Sequence, residues 1–133
     1  MKYQEFIKEV QERGHMASRE EAEKAARATL RTLAERLAGG EPHDLASQLP
    51  PELAEHVRYD EEQKSNAFSL QEFFRKVAEK EGADEPDAVY HARVVMKVLQ
   101  EAVTKGEIDD IRSQPPPEYA PLFEAGSQGE MSL

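Results

Sequence analysis

Few side chains in this sequence are equipped for chemistry. Four histidines, His15, His43, His56 and His91, are the only groups that ordinarily titrate near neutral pH. No two of them sit at metal-ligand spacing on one helix, and an H-E-x-x-H motif is absent. Cysteine is absent too, which excludes disulfides, thiolate zinc sites, iron–sulfur clusters and thiol nucleophiles. Glu107, Asp109 and Asp110 form an acidic cluster. A divalent cation is one reading of it, and the simpler one is that carboxylates in a helix's first turn complement its positive end. The recurring polar residues are Arg27 and Arg93, each at the border of an apolar helical stripe, with Asp44 and Asp110 on the short helices that follow. The spacing predicts structural ion pairs Arg27–Asp44 and Arg93–Asp110, because a planar guanidinium can hold a carboxylate bidentately at a partly buried site. Gln48 and Gln114 are expected to bond nearby backbone. No catalytic, cofactor-binding or metal-ligating set emerges, and no cofactor is expected.

The elements that position these groups read as helices. Phe6, Ile7 and Val10 fall on one face of a helix over about Lys2–Arg13. A capping box, Ser18 with Glu21, opens a second helix carrying the stripe Ala22, Ala26, Leu30, Leu33 and Leu37. Ser69 and Glu72 open another, and a helix from about Asp84 accepts Pro86 in its first turn and repeats the stripe as Ala88, Ala92, Met96, Leu99 and Val103. Gly40 and Gly106 are predicted to stop the two long helices through a left-handed cap. Short helices with Leu45 or Ile111 inward follow. The pairs Pro50-Pro51 and Pro116-Pro117 end them and begin a last turn carrying Leu53 and Val57, or Tyr119 and Phe123. No stretch alternates with period two long enough for a strand, so the class is all-α.

These assignments recur because the chain repeats itself. Lys2–Val10 (KYQEFIKEV) aligns with Ser69–Val77 (SLQEFFRKV) at an offset of 67, and Leu30–Val57 with Met96–Phe123 at an offset of 66, without a gap. In that 28-residue block 11 positions are identical, where unrelated sequences would share about two. Glu35/Glu101, Asp44/Asp110, Ser47/Ser113 and Gln48/Gln114 are among them. The histidine of the His43-Asp44 pair is replaced by Asp109, so the repeated unit does not require it. The expected organisation is two tandem helical repeats of about four helices each, residues 1–57 and 68–123, packed as one compact bundle. A polar linker over 58–67 and a disordered tail over 124–133 complete it.

Composition limits the core. Leu, Ile, Val and Phe together supply 26 of 133 residues and the formal net charge is −10, a pairing that borders on disorder. Seventeen alanines and the periodic placement of the large apolar residues offset it. Basic residues number 17 against 27 acidic, which argues against nucleic acid or an anionic membrane as partner. No apolar run approaches the roughly 18 residues of a membrane span, and a cytoplasmic protein is expected.

The opening YQEFIKEV with its second copy LQEFFRKV, the G-E-x-x-D-[LI]-x-x-Q turns at Gly40–Gln48 and Gly106–Gln114, and the P-P-E after each resemble the bacterial domain-of-unknown-function family 2267. The resemblance covers roughly Met1–Phe123. It implies a compact helical protein of this length and carries no activity, substrate or catalytic residue. Together these readings predict a non-catalytic protein–protein interaction module. A small-ligand binder or enzyme using an inter-repeat pocket around Phe73, Phe74, Tyr90 and Met96 is the alternative, and nucleic-acid binding is the least favoured.

Overall fold

The computed structural model describes residues 1–37, 41–57 and 67–123, without the Glu41 side chain. The helix stop expected at Gly40, residues 58–66 of the linker expected over 58–67, and the tail expected at 124–133 lie outside the described residues. Among the described residues seven α-helices run in order: α1 (Tyr3–Arg13), α2 (Arg19–Arg36), α3 (Glu41–Ser47), α4 (Pro51–Val57), α5 (Leu70–Glu81), α6 (Glu85–Ala102) and α7 (Lys105–Ser113). A 3-10 turn over Pro117–Tyr119 runs into helical residues 120–123. There is no strand among the described residues, and the fold is all-α as the periodicity requires. No helix of the described residues is long and apolar enough to cross a membrane.

Local chemistry sets most helix ends. The Ser18 hydroxyl accepts the Glu21 N–H at 3.2 Å, and the Glu21 carboxylate reaches back to the Ala17 N–H at 3.1 Å. Ser69 caps α5 in the same way through the Glu72 N–H at 3.1 Å. Each cap satisfies a donor that the first helical turn leaves free. The α5 helix ends on Gly82, whose φ of 71° is the left-handed conformation. At the corresponding place after α1 the left-handed residue is His15, φ 52°. Beside it Gly14 serves close approach, since a Cβ there would stand 2.7 Å from Met16 Cε and 2.9 Å from the Val10 carbonyl oxygen.

Gly106 does not stop α6, contrary to the sequence expectation. The helix ends at Ala102, and the extended residues Val103 and Thr104 make the break. The Thr104 hydroxyl then caps α7 by accepting the Glu107 N–H at 3.2 Å, which leaves Gly106 inside the first turn of α7. α2 likewise gives way at an extended residue, Leu37. A chain turned by extended residues and a threonine cap has no need of positive φ.

Both predicted stripes face inward. Ala22, Ala26, Leu30, Leu33 and Leu37 are buried, as are Ala88, Ala92, Met96, Leu99 and Val103. Alanines on these stripes keep side-chain bulk out of the contacts, so the long helices α2 and α6 pack against one another. The shorter helices cross between the two halves of the chain: α1 lies on α2 and α6, α5 lies on α6 and α2, and α3 meets α7. Leu45, Leu53 and Val57 from the first half of the chain, and Ile111, Tyr119 and Phe123 from the second, are buried in the same core. Each large apolar side chain so buried contributes about 1.5–3 kcal/mol. Met1 is the one exposed large hydrophobic residue among those described.

Candidate functional site

Among the described residues no ion pair joins Arg27 to Asp44 or Arg93 to Asp110. Asp44 and Asp110 are exposed on α3 and α7. Each accepts, at its own backbone carbonyl, the hydroxyl of the serine three residues on, Ser47 at 2.6 Å and Ser113 at 2.7 Å. Arg27 is exposed beside a groove with Tyr3, Glu23, Leu53 and His56. Arg93 is half-buried and its Nε has no hydrogen-bond partner.

Three of the charged contacts that do form tie the two halves of the chain together. Arg13 of α1 forms a two-pronged pair with Glu101 of α6, its Nη2 donating at 2.9 Å. Lys80 of α5 meets Glu35 of α2 at 2.6 Å, with Lys76 at 3.6 Å. The hydrogen bond from Arg13 holds the Glu101 carboxyl below the usual carboxylate range. Gln48, expected to bond local backbone, reaches across the molecule to accept the Thr104 N–H at 2.8 Å.

Between the α1–α2 and α5–α6 turns lies an open depression of ≈ 610 Å³. Gly14, His15, Glu21 and Lys24 line one side, and the stretch Glu81–Asp84 with Asp87, Tyr90 and His91 the other. Four carboxylates, from Glu21, Glu81, Asp84 and Asp87, face Lys24 and two histidines there. The Tyr90 hydroxyl donates to the Arg13 carbonyl at 2.9 Å and so fixes that wall.

A carboxylate–imidazole couple is built into the wall: His91 Nδ1 is hydrogen-bonded to Glu81 Oε1. The Glu81 side chain is only 5% exposed, and its second oxygen, Oε2, is buried without a hydrogen-bond partner. The bond to Glu81 raises the His91 pKa against the opposing effect of burial, helped by the negative charges of Glu81, Asp87 and Glu21. Sequence reasoning missed this couple. Its signal was the short α5–α6 turn, which brings the last residue of one antiparallel helix beside an early turn of the next. At the positions offset by 67 and 66 stand Gly14 and Ala25, and Gly14 has no room for a side chain.

The remaining candidates hold structural positions. His56 accepts from Arg31 Nε at 3.3 Å, and burial followed by the Arg31 charge lowers its pKa. The Tyr3 hydroxyl donates to Glu23, and burial together with that carboxylate pushes its pKa up to about 12. His43 is exposed on α3. Within the acidic cluster Glu107 is buried and Asp109 pairs with Lys105 at 3.2 Å. No group of three or more His, Asp or Glu among the described residues is placed to hold a metal ion. Of the residues expected around an inter-repeat pocket, Phe73 and Met96 are fully buried in the core, Phe74 is half-buried, and Tyr90 alone lines the depression.

What this arrangement can do chemically is bind and exchange protons. No serine, threonine or cysteine stands among the lining residues to act as a nucleophile for His91. A family model described as "Uncharacterized conserved protein (DUF2267)" matches residues 3–122. No curated protein matches the chain.

Proposed function

The chain belongs to the DUF2267 family of uncharacterised conserved proteins, and we propose that it is a non-catalytic, cytoplasmic protein–protein interaction module whose two related halves pack about a pseudo-two-fold axis. The observation that carries this reading is the depression on that axis. Exchanging the halves maps Gly14 onto Glu81, His15 onto Gly82, Glu21 onto Asp87 and Lys24 onto Tyr90, and every one of these residues lines it. The same exchange maps the Arg13–Glu101 pair onto Lys80–Glu35, and the contact of α1 with α6 onto that of α5 with α2. Such a site offers charge and hydrogen-bonding groups with no nucleophile among its lining residues. Because Met1 is the one exposed large apolar residue among those described, recognition runs through charge, and a net charge of −10 selects a basic partner.

Capture of the tagged full chain's partners from its native cells, with quantitative mass spectrometry, tests this. A protein recovered reproducibly at about 50 mM salt and depleted at about 500 mM supports a charge-driven interface. Recovery of no reproducible protein refutes the module. The His91–Glu81 couple favours a second reading, a small-ligand binder or enzyme, and turnover or retention of a metabolite by the purified chain with no protein partner would establish that instead.

A further inference from the structure

The α5–α6 corner holds a carboxylate in an unfavourable place. Glu81 is the last residue of α5, where the helix dipole presents its negative end. Its side chain is 5% exposed, one oxygen meets His91 Nδ1, and the other, Oε2, is buried with no hydrogen-bond partner. An ionised carboxylate taken out of water in this way is costly unless an opposite charge stays beside it. Among the described residues His91 is the one side chain bonded to it, and a neutral imidazole brings an N–H but no charge.

Other ties at this corner are few. Gly82 and Ala83 close α5 by donating their N–H groups to the Ala78 carbonyl at 2.8 and 3.1 Å. Asp84, at the N-cap of α6, makes no side-chain cap, whereas Ser18, Ser69 and Thr104 cap α2, α5 and α7. Gly82 is exposed and no atom lies within 4 Å of where its Cβ would be, so the turn has room to move. We propose that the Glu81–His91 couple is a proton-operated latch on the α5–α6 corner: protonated His91 keeps the carboxylate folded in, and loss of that proton releases Glu81 into the depression and loosens the turn at Gly82.

The neighbours set when the latch operates. The charged and titratable groups facing His91 are Glu81 from α5, Asp84 from the α5–α6 turn, Asp87 and Tyr90 on its own helix, Glu21 and Lys24 from α2, and His15 from the α1–α2 turn. Carboxylates outnumber cations among them, which favours the protonated ring. The folded pKa of His91 is raised above 6.5, so the latch is closed below about pH 6.5 and releases as pH rises through the folded value. Closed, the couple carries no net charge; released, it carries one negative charge. The depression gains a free carboxylate as it loses a cation. Docking of a basic partner there, a consequence that rests on the interaction reading above, strengthens as pH rises.

The test is an NMR titration of the labelled full chain from about pH 5.5 to 9. It follows the His91 ring, the nuclear Overhauser contacts between that ring and the Glu81 side chain, and the hydrogen exchange of the Gly82 and Ala83 amides relative to the unfolded-chain rate. The latch expects the contacts to vanish with the midpoint of the ring and the protection of both amides to fall at least about tenfold, while the side-chain contacts of Leu30 and Leu99 in the core persist. Glu81→Gln removes the buried charge, so residue 81 keeps its contact with the ring at every pH. His91→Gln leaves Glu81 without a cation and shows the released corner already at about pH 6. Contacts or amide protection that persist above the ring's midpoint overturn the latch. So does the same loss of contact in Glu81→Gln, or loss of the core contacts at that midpoint, which is global unfolding. If a variant does not fold, the wild-type contacts decide. Recovery of no partner leaves the latch standing and removes the module, whereas a working module with contacts that ignore pH removes the latch alone.

Discussion

Gly82 and Gly106 stand in different backbone conformations, although neither has any atom within 4 Å of where a Cβ would be. Alanine at either position therefore meets open space, and the backbone alone decides the sign of the effect. At Gly82 the φ of 71° places alanine in the left-handed region, a penalty of roughly 1–2 kcal/mol for a residue with a Cβ. Restricting the unfolded chain returns about 0.4–1 kcal/mol. Gly82→Ala is thus expected to destabilise by about 0.5–1 kcal/mol, lowering Tm by roughly 2–4 °C. Gly106 lies in the first turn of α7 without positive φ, and Gly106→Ala is expected to stabilise by up to about 0.5–1 kcal/mol. Urea unfolding of both variants, with unchanged m-values, checks the pair. A stabilised Gly82→Ala, or equal shifts of one sign, would refute the backbone argument and return Gly106 to the role of a helix stop.

Double-mutant cycles on Arg13–Glu101 and on Glu35–Lys80 should each give a coupling of about 0.5–1 kcal/mol that shrinks in molar salt; absent coupling in both would show that they are incidental surface contacts. His91, whose folded pKa is raised from 6.5, adds stability that is fully present below about pH 6.5 and lost as pH rises through the folded value. His56, shifted downward, adds stability present above 6.5 and lost as pH falls through its lowered value. Unfolding midpoints from about pH 5 to 9 should therefore lose one limb in His91→Gln and the other in His56→Gln. Leu33→Asp places an unpaired carboxylate at a residue only 2% exposed and should cost more than about 4 kcal/mol; a cooperative fold of unchanged stability would contradict the α2 stripe.

Local rules made the four principal helices legible. Ser18 and Ser69 announce their caps within four residues, and the stripes from Ala22 to Leu37 and from Ala88 to Val103 carry helical spacing on the face of the sequence. Some failures have their cause in distance along the chain. Arg13 finds Glu101, and Gln48 finds Thr104, only after distant helices have docked, so spacing within one element gives no hint of either contact. The expected arginine–aspartate pairs assumed that the short helices turn their aspartates inward, but Leu45 and Ile111 take the buried side and leave Asp44 and Asp110 in solvent. Gly106 misled because glycine after a long helix usually signals a left-handed cap, and Thr104, two residues earlier, already performed the break. His91 and Glu81 were each visible in the sequence, but only the α5–α6 turn makes a couple of them.

The crossing of the short helices changes the reaction order of folding. With α1 resting on α6 and α5 on α2, neither half completes its apolar layer from its own residues. A half-chain expressed alone must find a second molecule, so its folding is bimolecular and weakens on dilution. Joined in one chain, the halves meet at the effective concentration set by their tether, in the millimolar range for a short connection. Folding of the full chain becomes first order, and its midpoint should not move with protein concentration.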